Sequence, residues 1–221
     1  MTIQDAIDAR HSVRAYTGQP IPPEIREQLD AYAAKCSEES GLRLFVRYDD
    51  PSGFDSRLAH YGSFRSVNDY IVLAGKPCPD FDYLCGYYGE KLVLYAQQLG
   101  LNTCWTALTF NKKHVRELVR EGETLCMAIA LGYGQTQGTA RRSKSAAEVT
   151  ERADNAPDWF AAGVEAALKA PTAVNQQKFV FSLDGGEPVV RVKGLGACTR
   201  VDLGIVACHF ELASGHSVRH A

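Results

Sequence analysis

The sequence predicts an α+β fold of two similar halves, each a small, mostly antiparallel sheet flanked by helices, related by a pseudo-two-fold axis. Three observations predict it. The order helix, loop, strand, turn, strand, helix occurs twice along 221 residues. Segments of the two copies match in kind: Phe179 to Asp184 falls on Leu44 to Asp49, and Gly204, Phe210 and Gly215 fall on Gly89, Tyr95 and Gly100. A polar, basic stretch, Gln135 to Thr150, separates the copies and reads as a linker. It divides the chain into an N-terminal half, residues 1–150, and a C-terminal half, residues 151–221. A chain built this way imitates a symmetric dimer.

The elements follow from spacing and punctuation. Ile3 to Arg10 is a short helix with Ile3, Ala6 and Ile7 on one face, and an extended stretch follows it. Pro23 opens a second helix, which runs to about Lys35. Leu42 to Tyr48 and Tyr70 to Leu73 read as strands, and the long connection Asp50 to Asn68 between them as a loop. Gly86 to Leu99 is the longest helix, stopped by Gly100. Asn102 to Asn111 reads as a loop, Lys112 to Arg120 as a helix and Leu125 to Leu131 as a buried strand. In the second half, Asp158 to Lys169 and Asp202 to Ala213 are helices. Between them Phe179 to Leu183 and Val189 to Val192 form strands joined at Asp184-Gly185-Gly186.

Bulk properties exclude several classes of function. Hydrophobic residues at 45% and charged residues at 23% are ordinary for a soluble globular protein. The formal net charge of -2 leaves no basic excess for nucleic acid. No apolar run approaches the ~18 residues of a membrane span, and the N-terminus lacks the apolar core of a signal peptide. The seven cysteines are scattered without a CxxC pair. They read as reduced thiols of a cytoplasmic protein and supply no metal site.

Four segments carry chemistry. In Arg10-His11-Ser12-Val13-Arg14, an extended backbone puts Arg10, Ser12 and Arg14 on one side. Two guanidiniums flanking a hydroxyl suit a phosphate, although a solvated charged edge has the same pattern. Ala170 to Gln177 follows a helix stopped by Pro171, and its Thr172, Asn175 and Gln177 offer groups that read the edge of a heterocycle; an ordinary polar loop is the alternative. Gly100 to Ala107 presents small residues and Trp105, with backbone amides able to approach a ring or with Trp105 simply in the core. Arg141, Arg142 and Lys144 either neutralise a phosphate or solvate a linker. Gly194-Leu195-Gly196 lacks the third glycine and the βαβ unit of a dinucleotide loop.

Together these segments resemble the FMN-dependent nitroreductase family. Arg10 to Tyr16 is similar to its Arg-(Arg/His)-Ser-x-(Arg/Lys)-x-(Phe/Tyr) motif, and Ala170 to Gln177 to its Ala-Pro-Ser-x-x-Asn-x-Gln motif. Gly100 to Ala107 is similar to its Gly-Leu-Gly-x-x-Trp-x-Gly loop. Leu131-Gly132-Tyr133-Gly134 with Arg141-Arg142 is similar to its Leu-Gly-Tyr-Pro and basic tail. The resemblance spans nearly the whole chain. In ordinary members the Pro-Ser-x-x-Asn motif follows soon after the first motif. Here it lies in the second half, while Lys35 to Gly41 has lost it. The family's homodimers build each flavin pocket from both subunits, so this chain resembles an internally duplicated branch with one pocket.

The resemblance implies an FMN bound by Arg10, His11, Ser12 and Arg14, by Pro171, Thr172, Ala173 and Asn175 from the second half, by backbone amides of Thr106, Ala107 and Leu108, and by Arg141 or Arg142 at the phosphate. Ala107 and Asn102 stand where the family often has glycine, which bears on how closely the backbone nears the ring. The implied activity is ping-pong transfer of electrons from NAD(P)H to a small acceptor such as a nitroaromatic or quinone, by a monomer, with no catalytic side chain assigned. The rival readings are an FMN carrier or sensor without turnover and a scaffold that has lost FMN.

Overall fold

A computed structural model describes all residues, 1–221. Helix α1 (Ile3–Ala9) begins with a capping box, in which the Thr2 hydroxyl accepts the Asp5 N–H and the Asp5 carboxylate accepts the Thr2 N–H. Helix α2 (Pro23–Ser40) starts on its proline and ends at Gly41, whose φ of 70° is the left-handed stop. It outlasts the sequence reading at Lys35, and its last turn is tied to the following chain: Ser37 and Ser40 donate to the carbonyls of Ala33 and Cys36 and accept the N–H groups of Leu44 and Leu42.

The chain continues through β1 (Arg43–Arg47), a 3-10 turn (Pro51–Gly53), α3 (Arg57–Tyr61), β2 (Asp69–Gly75), α4 (Phe81–Gln98), β3 (Asn102–Thr106), α5 (Lys112–Glu117) and β4 (Thr124–Gly132). Then come a 3-10 turn (Ala146–Val149), α6 (Asp158–Ala167), another such turn (Ala173–Asn175), β5 (Phe179–Asp184), β6 (Glu187–Val192), α7 (Thr199–Ser214) and β7 (Arg219–His220).

Four of these elements correct the sequence reading. The expected loop at Asn102 begins with β3, whose Asn and Thr residues hide an edge strand paired to β4 from Asn102↔Gly132 to Thr106↔Ala128. The connection Asp50 to Asn68 carries α3, capped by the Ser56 hydroxyl. Helix α4 starts at Phe81, one turn before Gly86. The two-residue strand β7 is too short to leave a periodic signal.

The larger sheet has the order β1-β2-β4-β3 and is antiparallel throughout. The smaller has the order β5-β6-β7, with β7 parallel to β6. Strand β2 is buried along its whole length, with Ile71 and Leu73 in one hydrophobic cluster and Tyr70, Val72 and Ala74 in another, so the larger sheet is covered on both faces. The first cluster runs from Ile21 to Val218 and unites both ends of the chain around α4 and α7.

The crossing of α4 and α7 is set by two glycines. A Cβ on Gly86 would overlap the Val201 carbonyl oxygen, and a Cβ on Gly204 would overlap the Tyr83 carbonyl oxygen. Each glycine thus meets the residue three positions before the other, a reciprocal contact. The stretch from Gln135 to Thr150 is no loose linker. The Lys144 amide donates to the Gln177 side chain at 2.8 Å, and the Thr150 segment bridges to Phe181 of β5.

Gly86→Ala is expected to push the two helices apart against backbone and to lower stability by about 1–3 kcal/mol or more. Gly100→Ala, at a helix end with open space around it, tests the contrast. Its cost comes from a positive φ of 82° and not from overlap. Urea unfolding monitored by circular dichroism measures both, and an undiminished midpoint in Gly86→Ala would refute the close-crossing account.

Candidate functional site

The cleft begins where α1 ends. Arg10 leaves the helix with extended φ and ψ of -67° and 119°. The following residues lie beside β3, where Ser12 bridges Thr103 in parallel and the Val13 N–H donates to the Thr103 carbonyl at 3.0 Å. Val13 is buried and anchors the segment. Ser12 and Arg14 lie at the junction of two cavities and line both.

The larger cavity, about 730 Å³, is lined by Arg10, His11, Arg14 and Arg141 together with the hydroxyls of Ser12, Thr139 and Ser143. Its one carboxylate, Asp8, is paired with Lys169 at the rim. Arg10 is buried and donates from Nη2 to the Lys169 carbonyl at 3.2 Å, and its Nε has no hydrogen-bond partner. Arg141 donates from Nη2 to the carbonyls of Ala170 and Leu168. Both guanidiniums therefore sit at the C-terminal end of α6, where carbonyls accumulate and cations are stabilised. Burial and then Arg10 lower the Arg141 pKa to about 10, so it stays charged at neutral pH. Burial, Arg10 and Arg141 together push the His11 imidazole down.

The smaller cavity, about 390 Å³, is walled by Trp105, Thr106, Ala107 and Leu108 on one side and by Pro171, Thr172, Ala173 and Val174 on the other. The Thr106 hydroxyl is committed to the Ala128 carbonyl at 3.0 Å. Just past that last ladder pair, the N–H groups of Ala107 and Leu108 find no acceptor among the loop hydrogen bonds of the protein. The opposite wall is strained. Val174 has φ 47° and ψ 27°, a left-handed conformation that a β-branched residue rarely adopts, and Asn175 and Gln177 also have positive φ. The strain is held by specific bonds. Ala173 N–H and Gln176 Nε2 donate to the two oxygens of Asp202 at 2.9 and 2.7 Å. Asn175 Nδ2 donates to the Arg142 carbonyl at 2.8 Å, and the buried Gln177 side chain donates to Ser143 and Leu168.

The structure thus gathers Arg10, His11, Ser12, Arg14 and Arg141 around one cavity and Thr106, Ala107, Leu108, Pro171, Thr172 and Ala173 around the other. Arg142 and Asn175 line neither. Arg142 is exposed, and its carbonyl and the Asn175 amide spend themselves on each other. Asn102 lies at the far end of β3, away from the ring-sized cavity, where its side chain accepts the Gly134 N–H and donates to Gln137. Sequence reasoning missed Asp202, Glu90 and His209, which sit inside helices as single polar residues in apolar faces. Glu90 and His209 are completely buried. Glu90 Oε2 accepts the Trp105 indole N–H at 2.8 Å, and Glu90 Oε1 lies 2.8 Å from His209 Nε2 and 3.7 Å from Arg10 Nε.

Burial raises the Asp202 pKa to about 6, against the opposing pull of the Gln176 and Ala173 bonds and of Arg141. Between the unfolded value near 3.8 and the folded value near 6, the native state holds a proton that the unfolded state has lost. This contribution to stability is therefore full below pH ~4 and disappears as pH rises through ~6. Asp202→Asn, which keeps the acceptor for Ala173 but loses the one for Gln176, is expected to flatten the stability profile across that window. A profile with unchanged slope would contradict the assignment.

A family model described as "Putative TM nitroreductase" matches residues 2–214. No curated protein matches the chain. Among solved structures, a Thermotoga maritima protein titled a "putative nitroreductase" superposes with a TM-score of 0.69 at 23% identity, covering 96% of this chain and 83% of its own. A Desulfovibrio desulfuricans protein, titled in the same way and crystallised with FMN, gives 0.56 at 20% identity over 69% of this chain and 97% of its own. An FMN-dependent nitroreductase of Clostridium difficile gives 0.52 at 17% identity over 62% and 90%. At these identities the structures establish the fold, and the family model, which spans nearly the whole sequence, establishes that the chain belongs to the nitroreductase family.

Proposed function

We propose that the two joined cavities hold one FMN, its phosphate in the larger and its ring in the smaller, and that the chain passes electrons from NAD(P)H to a small acceptor such as a nitroaromatic or quinone in a ping-pong cycle. The observation that carries this reading is the division of chemistry between the cavities. One offers three guanidiniums, an imidazole and several hydroxyls against a single paired carboxylate. The other offers apolar walls and free backbone amides. A phosphate-bearing planar heterocycle matches both ends. Arg10 fits the same occupant, since its side chain spends only Nη2 on a hydrogen bond, to the Lys169 carbonyl, and keeps its other donors.

When bound, FMN supplies the two-electron chemistry that no side chain here provides. The chain's own residues do the rest. Arg10 and Arg141 balance the phosphate charge, and Arg14 and Ser12 span the junction toward the ring. The amides of Ala107 and Leu108 donate to the ring's polar edge. Pro171, Thr172 and Ala173 wall the ring cavity from the second half.

We read the two halves, 1–150 and 151–221, as a fused pair about a pseudo-two-fold, with one pocket per chain. The reciprocal glycine contact of α4 and α7 supports this, as does the shared order of helix, antiparallel strand pair and central helix in each half. The Desulfovibrio and Clostridium structures match two thirds of this chain with nearly all of their own length, which leaves about a third of the chain beyond them. We further propose a monomer in the cytoplasm, in keeping with seven free thiols; no helix is long and apolar enough to cross a membrane.

The visible spectrum of the purified protein, with flavin released by heat and counted, tests the assignment. One FMN per chain, bleached by NAD(P)H and recoloured by a quinone, is the expected result. Two per chain would reject the fused pair, a bound flavin that NAD(P)H leaves oxidised would make the protein a carrier, and failure to take up added FMN would reject the function. Arg14→Ala is expected to weaken FMN binding several-fold in a fluorescence titration through loss of one charge-assisted contact. Unchanged affinity would remove Arg14 from the site.

A further inference from the structure

Glu90 lines neither cavity, yet one lining residue from each converges on it. The Trp105 indole, a wall of the ring cavity, donates to Oε2 at 2.8 Å. Arg10, in the phosphate cavity, brings its unpartnered Nε to 3.7 Å from Oε1. His209 Nε2 meets the same Oε1 at 2.8 Å, and its Nδ1 lies 3.1 Å from the Ala166 carbonyl. That carbonyl only accepts, so Nδ1 carries a hydrogen. Nε2 then shares one proton with Glu90, either as an imidazolium facing a carboxylate or as a neutral ring facing the acid. Arg141 on the cleft side and the Cys208 thiol on α7 are the other ionisable groups that feel Glu90. Gly89, whose Cβ would overlap the Trp105 ring, lets the indole lie against α4 and reach the carboxyl.

We infer that Glu90 is a positioning residue that couples the phosphate arm of the cleft to the ring arm, with His209 holding its charge in balance. The inference rests on the FMN reading of the cleft and deepens it. Removing a charge from water is costly unless it is paired, and the two groups close enough to balance Glu90 are Arg10 at 3.7 Å and His209 at 2.8 Å, with Arg141 farther off. Arg10 is near enough to balance the carboxylate but is not hydrogen-bonded to it. A phosphate arriving beside Arg10 therefore draws on its charge without breaking a bond. The carboxylate then leans on His209, and the change reaches Trp105 through the other oxygen of the same carboxyl group.

The test uses the full-length chain freed of flavin and inorganic phosphate as the probe. Trp159→Phe leaves Trp105 as the one tryptophan of two. In that background, phosphate is expected to shift Trp105 emission although it cannot fill the ring cavity. Adding Glu90→Gln is expected to abolish the shift while phosphate still binds by calorimetry. Adding His209→Gln leaves Glu90 to the cleft guanidiniums, Arg10 first and Arg141 after it, and is expected to weaken phosphate several-fold. This variant carries the test if Glu90→Gln does not fold. A purely structural role predicts lower melting temperatures alone, with the emission response kept in Glu90→Gln and phosphate affinity kept in His209→Gln; either result overturns the coupling. So does an emission that phosphate leaves unmoved in the Trp159→Phe protein. One FMN taken up per chain alongside any of these negative results preserves the flavin assignment and rejects only the coupling.

Discussion

Helices α4 and α7 touch backbone to backbone. At Gly86 and Gly204 neither chain has a side chain to hold the other away, and each glycine faces a main-chain carbonyl of the opposite helix. Interaxial distance between helices depends on the residues at the contact, so a pair of glycines at this point brings the axes unusually near. The main apolar cluster that joins the two sheets is built around this approach. Val201, Leu203, Val206 and Phe210 from α7 and Leu92, Val93 and Ala96 from α4 belong to one buried cluster, which also takes in strands of both sheets. Side chains at that density do not accommodate a shift of one helix by a fraction of a turn.

The cleft sits on this frame and is costly in its own terms. Arg10 and Arg141 are withdrawn from water, and burial lowers the pKa of both. Their compensation comes from backbone more than from carboxylates, because the carbonyls of Leu168, Lys169 and Ala170 at the end of α6 have no helical partners and accept from them. A helix end that needs donors and guanidiniums that need acceptors satisfy each other, and the guanidiniums keep donors to spare. This helps two like charges stay side by side in a cavity whose one carboxylate, Asp8, is already paired with Lys169, while Glu90 lies outside the lining.

How much of this was legible in the sequence varies by the kind of signal. The motif at Arg10 to Arg14 was readable from its residue types, guanidiniums beside a hydroxyl, and not from alternation, since His11 and Val13 line the same cavity as Arg10, Ser12 and Arg14. Helices α2, α4, α6 and α7 were readable from apolar spacing and from Pro or Gly at their ends. Strand β3 was not, since Asn102-Thr103-Cys104-Trp105-Thr106 is buried by its neighbours β4 and α4 and not by its own hydrophobicity. Arg142 and Asn175 carry the right chemistry at the right spacing, but the choice of Arg141 over Arg142 depends on which way the segment faces α6, a tertiary matter. Glu90, Asp202 and His209 gave no signal at all. A lone polar residue in an amphipathic helix reads as surface until the helix is known to be covered on every side.

Those three missed residues explain why the crossing matters to the site. On α7, Val201, Asp202 and Ile205 line the ring cavity, and His209 follows one turn after Ile205, so one continuous stripe runs beneath the cleft. On α4, Glu90 stands one turn after Gly86, on the face that the glycine brings against α7. The 2.8 Å contact of Glu90 with His209 therefore depends on the same register as the glycine contact. Asp202, two residues before Gly204, holds the strained loop at Ala173 and Gln176 from that same stretch of helix. Left-handed Val174 persists because this anchor is fixed; a loop tied to a mobile helix would relax to an unstrained conformation. Helix packing, the buried Glu90–His209 contact and the shape of the ring cavity are thus tied to one close approach, and a substitution that spreads the helices would alter the cleft before it unfolded the chain.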